Sequence, residues 1–102
     1  VVIEYLKFNV KADQRERFVQ QDDEIWTSVL AAQPGFLEKE VWISPDHLTE
    51  VVIAIKWASF EQWQAISPEQ LHATEEHFSA VMGDTYELVE ATRYQIRKQR
   101  AV

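Results

Sequence analysis

Cysteine is absent from this 102-residue chain, so it has no disulfide framework, no thiolate nucleophile and no zinc or iron–sulfur centre built on sulfur. Glycine occurs twice and proline three times. Two glycines cannot build a phosphate-cradling loop or a dinucleotide fingerprint, and the chain has neither an HExxH helix nor a nucleophile elbow. Ordinary kinases, dehydrogenases and hydrolases are thereby set aside, and no metal site is expected. Basic residues are also few, ten against 17 acidic ones for a net charge of -7, a poor match to a phosphate backbone that rewards Lys and Arg clusters. Nucleic acid is not an expected partner. Four of the ten, Arg93, Arg97, Lys98 and Arg100, crowd the C-terminus, either as a patch for an acidic partner or as a solvated polar tail.

Long apolar runs are missing too. Nothing approaches the ~18 consecutive apolar residues of a membrane span. The N-terminal VVIEYLKFNV alternates, with Glu4 and Lys7 inside it, and reads as a strand and not as a signal peptide. The expectation is a soluble, cytoplasmic protein without a membrane partner.

Hydrophobic residues make up 46% of the chain, enough for the core of one domain spanning residues 1–102. Aromatic residues reach 12% and include four Trp. For so small a core this suggests a lined cavity or a subunit interface, although core packing also uses such side chains.

Six elements can be read in order. Val2 to Val10 is β-branched and aromatic, a first strand. Asp13, with Glu16 three residues later, forms a capping-box pattern before a helix whose apolar face carries Phe18, Ile25, Trp26, Val29 and Leu30. Pro34-Gly35 ends that helix. From Phe36 to Ser44 the pattern alternates, with Leu37, Val41 and Ile43 on one face and Phe36, Glu38, Glu40 and Trp42 on the other. After a Ser44-Pro45-Asp46-His47 turn, Glu50 to Trp57 is nearly continuous apolar sequence, as in a central buried strand. Ser59 can cap a short helix from Phe60 to Ile66. Pro68 starts a second helix, striped by Leu71, Thr74, Phe78, Val81 and Met82, and Gly83 stops it before a last strand from Tyr86 to Lys98.

The order βαββαβ is that of the ferredoxin-like α+β fold, an antiparallel four-stranded sheet with helices on one face. The other face carries Phe36 and Trp42 beside Glu38 and Glu40. A sheet face that apolar normally meets another sheet, and the simplest partner is a second copy about a two-fold axis. A homodimer closing into a dimeric α+β barrel is expected, with Phe36 and Trp42 at the interface.

Pro34-Gly35-Phe36, then Trp57-Ala58-Ser59-Phe60-Glu61-Gln62-Trp63 and a His-bearing helix, resemble the antibiotic-biosynthesis-monooxygenase group of dimeric α+β barrels over essentially the whole chain. Within it, the EVWISP and EVV-IKWA segments look most like a small uncharacterised family from cyanobacteria. Two branches of the group bear on chemistry. The quinone-forming monooxygenases place an Asn four residues before the strand-end Trp and a Tyr six residues after it; here Trp57 matches, Trp63 keeps an aromatic, and Ile53 stands in place of the amide. The haem-degrading branch uses a first-strand Asn, a Trp in the short helix and a His ligand further on. Trp63 and His72 match in type and spacing, while the Asn position falls near Glu4 to Leu6.

The resemblance implies a cleft between sheet and helices lined by Trp57, Phe60, Trp63, His72 and Phe78. It would take a small, largely apolar or aromatic ligand, with cofactor-independent monooxygenase-type chemistry as the reaction class and His72 as the catalytic base. The alternatives are a non-catalytic dimeric interaction module, and a haem-binding or haem-degrading monooxygenase with His72 as axial ligand. Each residue also has a structural reading: His72 can pair with Glu75 or Glu76 at the surface, and Trp57 and Trp63 can seal a helix against the sheet. Glu38 and Glu40 are either rim charges or a paired-carboxylate site with one raised pKa.

Overall fold

A computed structural model describes residues 1–101. Strand β1 is Val2–Val10, β2 is Phe36–Ile43, β3 is Glu50–Trp57 and β4 is Tyr86–Gln95. They form one antiparallel sheet in the order β2-β3-β1-β4, so the apolar run of β3 lies inside the sheet and β4 is an edge. Helix α1 covers residues 15–30, α2 is Phe60–Gln64 and α3 is Pro68–Met82. The ferredoxin-like α+β architecture is as expected, with β4 ending at Gln95 and the short helix at Gln64.

Local chemistry accounts for most boundaries. Ser59 Oγ accepts from Gln62 N at 3.2 Å and Ser67 Oγ accepts from Gln70 N at 3.3 Å, which caps α2 and α3. Pro68 occupies the first turn of α3, where a missing N–H costs nothing. Gly83 ends α3 at φ 63° and ψ -148°, next to a region that only glycine occupies freely. The capping box does not form: Asp13 lies inside a 3₁₀ turn, Ala12–Gln14, and no side chain caps α1. That turn instead closes through Gln14 N donating to Lys11 O at 2.8 Å.

Helix α1 is not uniform. It is α-helical at Arg15–Gln21, π-helical at Asp22–Thr27 and α-helical again at Ser28–Leu30. The wider π turn leaves Asp22 and Trp26 on one side of the helix, facing the sheet together with Phe18 and Leu30.

The core lies between the sheet and the helices. Val2 and Val10 of β1, Val51, Ile53, Ile55 and Trp57 of β3, and Phe18, Phe78 and Met82 from the helices are buried together. Phe18 sits among three rings, 5.1 Å from Phe8, 5.3 Å from Phe78 and 5.6 Å from Tyr86 between centroids.

Strand β2 departs from simple alternation. A register shift between Phe36 and Glu38 takes up Leu37, so Phe36 turns to the helical side and meets Trp57 edge-on at 5.8 Å. Phe36 therefore does not share the outer face with Trp42. Leu37 and Ile43, expected inside, are both half exposed. Trp42 stays on the outer face, 48% exposed, with its indole N–H donating to Glu40 Oε1 at 2.9 Å.

Candidate functional site

Between the sheet and the helices lies a cavity of about 550 Å³. Its walls are mainly apolar: Leu6 and Phe8 from β1, Ile53 and Ile55 from β3, Trp26 from α1 and Phe78 from α3. A volume of this size is within the range of small-molecule sites.

Three ionisable side chains reach this wall from three elements. Glu4 projects from β1, Asp22 from the π segment of α1, and Lys39 from β2. Glu4 Oε1 accepts a hydrogen bond from Trp57 Nε1 at 3.2 Å. Lys39 Nζ lies 2.7 Å from Asp22 Oδ2 and donates to Thr27 Oγ1 at 2.7 Å. Both members of this ion pair are nearly fully buried, with side chains 5% and 4% exposed. Their approach is close, yet Asp22 Oδ2 receives no well-aligned hydrogen bond among the described residues.

Burial dominates the electrostatics. It pushes the Glu4 carboxyl above the ordinary glutamate range, against the opposing effects of the Trp57 hydrogen bond and the Lys39 charge. Asp22 is likewise raised by burial, with Lys39 offsetting part of the effect. At another part of the wall, Tyr86 donates its hydroxyl to Glu75 Oε1 at 2.7 Å. Burial first, and that bond second, push the Tyr86 phenol up to about 12.

Trp63, His72 and Phe78 all line the cavity. Trp57 does not: it is wholly buried behind the wall and reaches the site through the indole N–H it offers to Glu4. Phe60 does not line the cavity either; its ring centroid lies 6.0 Å from that of Trp63, with the Arg93 guanidinium carbon 5.1 Å above its face. His72 is at the rim, its side chain 76% exposed and Nε2 3.0 Å from Glu76 Oε1, an i,i+4 surface pair.

In the single chain Glu38 binds Lys56 at 3.2 Å, and that contact first, with a hydrogen bond to Glu40 second, holds its carboxyl below the ordinary range. Among the described residues no group of three or more His, Asp or Glu side chains could hold a metal ion, and no helix is long and apolar enough to cross a membrane.

Glu4, Asp22 and Lys39 were not singled out from the sequence, although each leaves a trace there. Glu4 occupies the inward register of β1 with Val2, Leu6, Phe8 and Val10, and Asp22 falls four residues after Phe18 on the apolar face of α1. Lys39 sits two residues before the inward Val41. A charged residue in an inward register is the signal, because burying one needs a compensating partner.

With this geometry, the chain can be placed among known proteins. Residues 1–83 match the family model described as antibiotic biosynthesis monooxygenase, and the chain belongs to that family. It is similar in fold to a monooxygenase from ActVA-Orf6 of Streptomyces coelicolor, solved in complex with the ligand nanaomycin D, at 17% identity and TM-score 0.77 over 99% of this chain and 91% of that one. SnoaB from Streptomyces nogalater, described as a cofactor-independent oxygenase, superposes with TM-score 0.69 at 16% identity over 96% of this chain and 94% of its own. Rv0793 from Mycobacterium tuberculosis gives TM-score 0.69 at 18% identity, covering 98% of each chain. Comparison with curated protein sequences gave no match.

Proposed function

We propose that this chain binds a small, largely apolar or aromatic molecule in the cavity between the sheet and the helical layer. The chemistry we assign to the site is cofactor-independent oxygenation by dioxygen, with the substrate itself as reductant. The observation that carries this reading is an apolar chamber of about 550 Å³ whose wall holds a hydrogen-bonded carboxylate and a buried ion pair. Membership of the monooxygenase family and the descriptions of SnoaB and the nanaomycin D complex support it. Trp63 and Phe78 hold the plane of the ligand, while Trp57 acts from behind the wall and Phe60 packs beside Trp63.

The cavity also weighs against a purely structural interaction module, in which Trp63 and Phe78 would fill this space themselves. Haem fits the site poorly. His72 is the imidazole at the wall, and its Nε2 is turned to Glu76 on a largely exposed side chain.

The working form is a cytoplasmic homodimer joined through the outer sheet face. Trp42 and Tyr94 there are about half exposed, and Tyr94 packs edge-on to Tyr5 at 6.0 Å. Light scattering should give twice the chain mass, and Trp42→Glu should give one chain mass. For the site, 1-naphthol should saturably quench tryptophan fluorescence. A panel of phenols and enolisable aromatic ketones should include one that consumes oxygen without added metal, flavin or haem. Absence of saturable binding across that panel would remove the reading.

A further inference from the structure

We propose that Glu4 is the proton-transfer residue of this site and that Lys39, held by Asp22 and Thr27, binds the oxygen on which negative charge develops. This rests on the small-ligand reading above and narrows the substrate to what such a pair can act on: an apolar carbon acid, a ketone with an enolisable C–H beside its carbonyl. His72, the base expected from the resemblance, sits at the rim with its Nε2 engaged by Glu76.

The geometry assigns the parts. Glu4 lies on the apolar wall with Oε1 fixed by Trp57 Nε1 at 3.2 Å, which orients the carboxylate, and among the described residues no hydrogen bond engages its other oxygen, the one assigned to the ligand proton. An ammonium has three N–H bonds. Thr27 Oγ1 takes one from Lys39 at 2.7 Å, Asp22 Oδ2 stands 2.7 Å from Nζ as its counter-charge, and an N–H remains for the cavity that Lys39 lines. Such a donor is fixed before the reaction begins and is shielded from water, the condition under which it stabilises an oxyanion most.

The step is balanced without any outside reagent. The substrate C–H bond breaks, its proton forms an O–H bond on Glu4, and the electron pair moves onto the carbonyl oxygen beside Lys39. Returning the proton restores both partners. Burial raises Glu4 towards the working pH, which makes it a stronger base than an exposed glutamate. The other charged or titratable groups facing this region are Lys39 from β2, Asp22 from α1, His72 and Glu75 from α3, and Tyr86 and Arg93 of β4, the Cα of Arg93 being paired with that of Glu4.

The test is hydrogen–deuterium exchange of 2-tetralone in heavy water, followed by proton NMR under nitrogen so that no oxygen chemistry intervenes. The native protein should speed loss of the acidic C–H signal over buffer, with a rate that rises as Glu4 ionises. Glu4→Gln should lower the protein-catalysed rate by ~10²–10⁴-fold while 2-tetralone still binds. Glu4→Asp, which keeps the carboxylate, should retain part of the rate, and Lys39→Met should lose most of it. Binding without accelerated exchange, or full exchange in Glu4→Gln, would overturn the assignment and leave the binding reading in place. No binding of 2-tetralone to the native protein would overturn both.

Discussion

Replacing Asp22 by Ala should destabilise the protein far more than an ordinary helix substitution. Lys39 Nζ is 2.7 Å from Asp22 Oδ2 on a side chain only 5% exposed, so the variant leaves a buried ammonium donating to the neutral Thr27 Oγ1 without its counter-charge. Removing one partner of a buried pair typically costs ~3–5 kcal/mol, because the remaining charge keeps its desolvation penalty. Against a total stability of ~5–15 kcal/mol for a domain, that is a large fraction. For a chain near 100 residues the melting temperature should fall by ~12–40 °C. The double variant Asp22→Leu/Lys39→Met replaces both charges by apolar groups of similar volume and should lie between neutral and ~4 kcal/mol more stable than the native protein. Urea unfolding followed by tryptophan fluorescence, at one protein concentration, measures all three. A loss under ~1 kcal/mol in Asp22→Ala would refute the reasoning, as would a double variant no better than the single one. If the double variant is stable but inactive in proton exchange, the ion pair is retained for chemistry at a cost in stability.

Further expectations concern the backbone and pH. Gly35 has φ 88°, and an added Cβ would lie 2.6 Å from the Cβ and Oε1 of Gln62, whereas one at Gly83 meets nothing within 4 Å. Thermal melts should therefore show Gly35→Ala clearly less stable than Gly83→Ala, although both carry backbone strain. Tyr86 is raised from 10.0 to about 12 in the folded protein, so its contribution to stability is complete below pH 10 and is lost as pH rises through about 12. Alkaline unfolding curves of Tyr86→Phe should lack that part of the loss. Glu4 is also raised, which means the folded state holds its proton more tightly and bears a cost once pH exceeds the folded value. Glu4→Gln should accordingly compare best with the native protein at neutral pH, with its relative advantage shrinking as pH falls towards 4.5, in parallel urea titrations.

Much of this architecture is legible in the sequence because single residues carry its punctuation. Ser67-Pro68 fixes the start of α3, Gly83 its end, and the run from Glu50 to Trp57 can hardly be anything but a central strand. Two features escaped for physical reasons. The irregularity at Leu37 is invisible to a period-2 count, and it carries Phe36 from one face to the other. The π turn at Asp22–Thr27 has no sequence signature, and it begins at the residue that reaches the same wall as Lys39.

The candidate site divides in the same way. Trp63 and Phe78 were recognisable as lining residues, and the i,i+4 spacing of His72 and Glu76 already allowed a surface pair. Glu4, Asp22 and Lys39 belong to three separate segments, and only the fold brings them to one cavity. Each looked like a single charge in an amphipathic pattern. Their convergence is a tertiary property, set by the sheet order and by the face that α1 presents.

The four tryptophans allow the central claim to be tested inside one spectrum, since each indole N–H gives its own signal in a nitrogen-labelled sample. Trp26 and Trp63 line the cavity, Trp57 donates to Glu4, and Trp42 donates to Glu40 on the outer face. Titration with 2-tetralone should move the Trp26 and Trp63 signals saturably, move Trp57 through Glu4, and leave Trp42 in place. A spectrum in which Trp42 alone moves, or in which none does, would contradict a ligand site between the sheet and the helices.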